Sequence, residues 1–351
     1  TGKAALEGFK DVEGTSILVF YPEDGVSPMQ KRQMKTQEGD NVGVCAIKGN
    51  FDDCQNGVKA IFTDNEVKAA LDSKGMIFSS ANSINWGRLV PQVVYYVSAY
   101  AELVKGEEIE MGEKINIVVP TGNFGNILAA YYAKHMGVPV NKLICASNIN
   151  NVLTDFINTG VYDRNRQFYA TVSPSMDILI SSNLERLLYL MTDRNDAVIN
   201  EWFGKLAAEG KYEVTADVKA KLNEEFFGGF CDDEQTKETI SSIYEKYSYT
   251  CDTHTAVAVK VYNDYKAATG DTTKTIIAST ASPYKFSAAV LEALEKGNSD
   301  IDEYAKVDRI AELSDIPVPA ALADLKNKPE RFTDVIEKAD QKDYVLRTLG
   351  F

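Results

Sequence analysis

The stretch INIVVPTGNFGNILAAYYAK, residues 115–134, constrains this chain more than any other. The apolar run 115–119 predicts a buried strand. A turn flanked by Gly122 and Gly125 follows. Apolar residues then recur at Ile127, Leu128, Tyr131 and Met136, which is helical spacing. A strand that passes through a glycine turn into a helix aims free backbone N–H groups and the positive end of the helix dipole at one spot. Such a spot suits a phosphate. Gly122 and Gly125 remove side chains where an anion must approach the backbone, and Asn123 and Asn126 offer further donors or a helix cap. An ordinary strand-to-helix turn carries the same signs, and glycine spacing alone does not separate the two.

Composition limits what such a site can serve. With 37 basic against 51 acidic residues the formal net charge is −14, which excludes a nucleic acid or an anionic membrane as partner. A small anion held by local donors remains compatible. No apolar stretch reaches the roughly 20 residues of a bilayer span. Cys45, Cys54, Cys145, Cys231 and Cys251 show no CxxC pair, so free thiols in a reducing cytoplasm are expected. His135 and His254 are the only histidines, too few for a multi-histidine metal site, and no metal is expected. At 351 residues more than one domain is expected. The chain opens in helix-like sequence at Thr1 without a methionine and reads as cut from something longer.

Read in order, residues 1–10 predict a helix and SILVFY, 16–21, a strand. Residues 28–37 predict a helix capped by Ser27 with Pro28 at its first position. Residues 42–47 predict a second strand and 51–62 a helix entered through Asp52 and Asp53. Alternating strands and helices imply βα units on a parallel sheet. A smaller βα domain over 1–75 and a larger one over 76–351 are expected, with a helical insertion near 181–250. SSANSINWGR, residues 79–88, reads either as a well-capped helix start or as a polar pocket wall in which Arg88 can fork onto an anion. Residues 143–146 and 275–280 predict strands. His254 opens a helix capped by Asp252 or Thr253 and reads as a capping or packing residue. Ligands of open α/β sheets sit at the carboxyl ends of strands, so the loops at Gly122 and at Ser279 and Thr280 are expected to share a cleft. A charged helix is expected over 329–339, and the charge run 330–342 reads as a solvated face.

Taken together, SSANSINWGR, PTGNFGNILAAYYAKHMGVPV, DTHTAVA and STASPYKF, in this order and spacing, resemble threonine synthase. YPEDGVSPMQKRQM and KGNFDDCQNGV resemble its smaller domain. The resemblance covers nearly all of residues 1–300. It implies two open parallel-sheet domains with flanking helices, the fold type II of pyridoxal-phosphate enzymes, similar to tryptophan synthase β. It further implies that Gly122, Asn123, Phe124, Gly125 and Asn126 cradle the phosphate of pyridoxal 5'-phosphate. Thr280, with Ser279 beside it, meets the pyridine nitrogen. Asn82, Ser83, Asn85 and Arg88 line the substrate side, and Thr1 and Gly2 end a loop that grips the substrate carboxylate. The implied reaction converts O-phosphohomoserine and water to threonine and phosphate, with the cofactor as electron sink.

The family's Schiff-base lysine lies upstream of that carboxylate loop, so no catalytic residue is assigned here. Gly8-Phe9-Lys10-Asp11 imitates its surroundings but follows the loop and is read as a surface turn. The N-terminal remainder of the same enzyme is the expected partner, and the chain by itself is expected to lack normal activity. Ser282-Pro283 stands where the family often has histidine-proline, and Thr253 where it has proline. Another fold type II lyase or dehydratase is an alternative, as is a non-catalytic binding protein. A nicotinamide dehydrogenase ranks behind both, since no GxGxxG follows an early strand.

Overall fold

A computed structural model describes residues 2–295, 301–314 and 316–351. Among these residues there are nine strands: β1 (Ile17–Pro22), β2 (Val42–Lys48), β3 (Ile115–Pro120), β4 (Val140–Ser147), β5 (Val161–Asp163), β6 (Lys211–Glu213), β7 (Phe226–Phe230), β8 (Thr275–Ile277) and β9 (Val335–Glu337). The chain divides into two compact units. One comprises the described residues of Thr1–Asn82, Asp302–Val307 and Pro317–Phe351, the other those of Ser83–Ile301 and Asp308–Ile316. No helix among the described residues is long and apolar enough to cross a membrane.

The smaller unit holds a parallel sheet in the order β1-β2-β9. Alternation along β1 sends Ile17, Val19 and Tyr21 into one apolar cluster, with Leu6, Met34 and Val44. Leu18 and Phe20 go into another, with Ile61, Leu71 and Val345. The helix Pro28–Lys35 starts as expected, with a full capping box between Ser27 and Gln30. The helix Phe51–Thr63 is instead capped by Asn50, which forms its box with Asp53.

β9 lies inside the stretch expected to be a charged helix. Ala46, Ile47 and Lys48 of β2 pair with Val335, Ile336 and Glu337, so the backbone of 335–337 completes an open sheet edge, which a helix cannot do. The charge run is not simply solvated either. Glu330 pairs with Arg32 at 2.7 Å and Lys35 at 2.9 Å, Glu337 with Lys48 at 2.6 Å, and Lys342 with Asp64 at 2.8 Å. Residues 317–351 therefore pack with the first 82 residues, whereas the expected boundary near 75 left them in the larger domain.

The larger unit is built on a parallel sheet in the order β7-β4-β3-β8. Every residue of β3 is buried, as a strand covered by helices on both faces requires. Ile115, Ile117 and Val119 face a cluster that includes Leu128 and Tyr96; Val118 faces Val257 and Val261. β7, at the sheet's edge, was not expected, and with the β5–β6 pair it falls in or beside the stretch read as a helical insertion. Its sequence, FFGGF, hides a strand because glycine disfavours one. The glycines are there for close approach: a side chain at Gly228 would meet the Thr154 backbone at 3.1 Å, and one at Gly229 would meet Val261 at 2.7 Å. β8 ends at Ile277, three residues short of expectation, and Ser279 and Thr280 lie beyond the ladder.

All five cysteines are buried. Burial disfavours the thiolate and pushes Cys45 and Cys231 up to about 11 and Cys54, Cys145 and Cys251 up to about 12. At about pH 8 a thiol of pKa 11 is ionised to roughly one part in a thousand, and only the thiolate attacks a disulfide reagent. A colorimetric thiol titration is expected to find no prompt reaction in the folded chain and all five thiols in guanidinium. Prompt reaction of a native thiol would contradict this burial.

Candidate active site

At the carboxyl end of β3 the chain passes through Thr121, Gly122, Asn123 and Phe124 into the helix Gly125–His135. Phe124 takes the left-handed conformation, φ 62° and ψ −2°, which costs a residue with a side chain about 1–2 kcal/mol. Burial of its ring against Phe226, with centroids 5.8 Å apart, offsets that cost. A left-handed residue followed by right-handed ones turns successive N–H groups to one side. Among the described residues, the amides of Gly122, Asn123, Phe124, Gly125, Asn126 and Ile127 donate to no protein acceptor. The first amide with a partner is Leu128, 3.0 Å from the Phe124 carbonyl. Backbone amides in a folded interior nearly always have partners. Six in a row at a helix N-terminus make a cradle for an anion.

The individual side chains serve this loop differently from expectation. A side chain at Gly122 would lie 2.6 Å from the Ser175 carbonyl oxygen and 3.2 Å from Met176 Cα, so glycine is required there by the protein's own backbone. Gly125 faces Asn183 Nδ2 at 3.3 Å and the Ser83 carbonyl at 3.9 Å from its Cβ direction. Neither asparagine caps the helix: Phe124 occupies the cap position without a side-chain bond. Asn123 Oδ1 accepts from Ser182 Oγ at 3.2 Å, and Asn126 Oδ1 accepts from the Tyr96 hydroxyl.

The segment Ser181-Ser182-Asn183 braces the loop from behind, and nothing in the sequence pattern singled it out beyond the start of the expected helical insertion near 181. Ser181 Oγ donates to the Gly122 carbonyl at 2.9 Å, and Asn183 Nδ2 donates to the Asn123 carbonyl at 2.9 Å. A second brace runs through His254. Its buried ring accepts the Ser175 N–H at Nε2, 3.2 Å away, and packs against Phe286 with centroids 4.8 Å apart. That bond puts the imidazole proton on Nδ1, 3.2 Å from Asp252 Oδ1. Asp252 caps the helix Thr253–Thr269 through the amides of His254 and Thr255.

Parallel pairing of β8 with β3, in which Ile277 stands opposite Val118, carries Ser279 and Thr280 past the same end of the sheet as Thr121. Ala278 N–H reaches the Val118 carbonyl at 2.9 Å. Ser279 Oγ accepts from Thr255 at 3.3 Å, and Thr280 is exposed. Of the other expected contacts, Ser83, Asn85 and Arg88 belong to this unit and Asn82 ends the other one; Thr1 lies outside the described residues. Asn85 caps the short helix Trp86–Leu89, its Oδ1 accepting from Gly87 N–H at 2.8 Å. Arg88 is half-buried, and desolvation holds its guanidinium below the usual range, a setting in which a phosphate is a strong partner. Lys10 stands in the smaller unit, 3.3 Å from Glu38. No group of three or more His, Cys, Asp and Glu among the described residues could hold a metal ion.

A family model described as threonine synthase, C-terminal, matches residues 255–345. Human threonine synthase-like 1 is 44% identical over 302 residues, covering 84% of this chain and 40% of the relative. Threonine synthase of Saccharomyces cerevisiae is 39% identical over 308 residues, covering 84% of this chain and 58% of the relative. The chain thus spans about half the length of these curated relatives. The crystal structure of pyridoxal-phosphate-bound threonine synthase from Brucella melitensis superimposes with a TM-score of 0.81 at 36% identity, covering 99% of this chain and 68% of that one.

Gly122→Ala is expected to destabilise the larger unit by about 1–3 kcal/mol, because its new methyl group meets backbone that has no rotamer to yield. Urea unfolding measures this; an unchanged midpoint would show that the Ser175 segment moves aside freely.

Proposed function

Because this chain belongs to the threonine synthase family, we propose that it carries the cofactor-phosphate and substrate-phosphate sites of an enzyme that converts O-phosphohomoserine and water to threonine and phosphate. Its fold is the fold type II of pyridoxal-phosphate enzymes. The observation that carries the reading is the row of six amides from Gly122 to Ile127 without acceptors among the described residues. A phosphate dianion fits that row, because it accepts several hydrogen bonds at once and is favoured by the helix dipole.

Pyridoxal phosphate, when bound, supplies the electron sink for proton loss from the carbon that bears the substrate amino group. The chain's residues hold and orient. The amides of Gly122, Asn123, Phe124, Gly125, Asn126 and Ile127 take the cofactor phosphate. The Thr280 hydroxyl, beyond the neighbouring strand's end, is the partner for the ring nitrogen. Being neutral, it does not drive protonation of that nitrogen. Ser83, Asn85 and Arg88 take the substrate phosphate. The phosphate ester is already a dianion and gains further negative charge as the electron pair of the breaking Cγ–O bond stays on its oxygen; a partly desolvated guanidinium stabilises that added charge, so Arg88 favours departure of phosphate from the γ carbon. Five buried thiols suit a cytoplasmic setting.

The test is turnover by the gene product carrying these residues, supplied with pyridoxal phosphate. Equal yields of phosphate and threonine from O-phosphohomoserine are expected, and Arg88→Met is expected to lower kcat/KM by about a hundredfold through loss of a charge-assisted contact. Ammonia from serine or threonine without phosphate release from O-phosphohomoserine would overturn the proposal in favour of a dehydratase.

A further inference from the structure

The helix Leu184–Met191 begins at Asn183, where an asparagine ordinarily turns its side chain onto its own helix. Asn183 does not: no side-chain cap bond is made. The residue is fully buried, and both ends of its amide group are used sideways. Nδ2 donates to the Asn123 carbonyl at 2.9 Å, and the Asn183 backbone N–H reaches the same oxygen at 3.2 Å. Oδ1 accepts from Arg186 Nη1, one helical turn on. The other arm of that guanidinium, Nη2, donates to the Ile84 carbonyl at 2.6 Å. Ile84 stands between Ser83 and Asn85 in the loop assigned to the substrate phosphate.

Peptide geometry gives these contacts a consequence. In a planar trans peptide the C=O of one residue and the N–H of the next point in opposite directions. Fixing the Gly122 carbonyl with Ser181 Oγ therefore aims the Asn123 N–H. Fixing the Asn123 carbonyl with Asn183 aims the Phe124 N–H. Both N–H groups belong to the six without protein acceptors. The carbonyls are tied down behind the loop, and the donors are thereby turned to its opposite side. The bidentate reach of Arg186 joins this anchor to the loop of Ser83 and Asn85 in one chain of hydrogen bonds.

We propose that Asn183 and Arg186 are positioning residues: Asn183 orients the Phe124 amide for the cofactor phosphate, and Arg186 locks Asn183 while tying the cofactor-phosphate loop to the substrate loop at Ile84. The proposal rests on the functional reading above in taking pyridoxal phosphate as the anion, and its test does not require turnover.

The experiment compares binding of pyridoxal phosphate and of pyridoxal, which lacks the phosphate, to the gene product and to its Asn183→Leu and Arg186→Met variants. Fluorescence titration reads affinity, and thermal unfolding is measured alongside. Asn183→Leu keeps the side-chain size and removes both hydrogen-bonding ends. Arg186→Met keeps the alkyl stem of a half-buried residue and disturbs folding least. Each variant is expected to weaken pyridoxal phosphate by about tenfold, the effect of losing one well-aimed donor to a charged group. Each should leave pyridoxal affinity unchanged, and Arg186→Lys should recover part of the loss. Equal weakening of both ligands, or no weakening of either in a folded Arg186→Met protein, overturns the proposal. A wild-type protein that releases no phosphate from O-phosphohomoserine but shows the phosphate-specific loss keeps this inference and sinks only the functional reading. A wild-type protein that does not distinguish pyridoxal phosphate from pyridoxal sinks both.

Discussion

A row of backbone amides without acceptors among the described residues needs partners from outside the chain, and the larger unit holds the turn that presents them. β3 is buried on both faces, so the end of the strand is held by packing on all sides. The turn that follows puts a phenylalanine, with no glycine's freedom, in the left-handed position, and the buried ring keeps it there. Gly122 is pressed against the Ser175–Met176 backbone and the Asn123 carbonyl is held by Asn183. The loop is thus clamped on its carbonyl side, while its N–H groups find no acceptor among the described residues. Preorganised donors of this kind need no rearrangement when charge arrives.

The clamp draws on distant parts of the chain. Ser181 and Asn183 lie about sixty residues beyond the loop they hold. His254 acts through Ser175, 79 residues before it. Ser279, just beyond the strand next to β3, is bonded to Thr255 in the helix that Asp252 caps. The helix Thr253–Thr269 therefore supports both loops, with His254 directed to one and Thr255 to the other. In the smaller unit the C-terminal stretch plays a comparable part by adding β9 to the free edge of β2. The ion pairs around it are partly exposed and individually contribute little. Strand pairing and the burial of Val345 beside Ile61 and Leu71 supply more of the hold.

Much of the framework was legible because its signals are local. The Ser27 capping box, the Asp252 cap, the apolar runs of β1 to β4 and the glycine turn after β3 each depend on residues within one turn or one strand of each other. What escaped was non-local. FFGGF became a strand because the helices Val152–Thr159 and Thr253–Thr269 press on Gly228 and Gly229, and no propensity reveals that pressure. β9 looked helical until the free edge of β2 claimed Val335 and Ile336. In the site, a glycine turn between strand and helix was readable from its own spacing, but its row of amides without acceptors among the described residues was not. The roles of its members were not: the asparagines were expected as caps or donors, but their side-chain oxygens accept from Ser182 and Tyr96.

By itself, then, the amino-acid sequence determined a parallel α/β framework and the presence of a glycine turn from β3 into a helix, because strand burial, helix periodicity and glycine turns are written within short stretches of chain. Tertiary structure decided which side of that turn is clamped, and through Arg186 and Asn183 how the turn is joined to the loop at Ile84. Those outcomes depend on where carbonyl groups find donors across 60 to 100 residues of separation. Only the folded chain brings such partners within hydrogen-bonding distance.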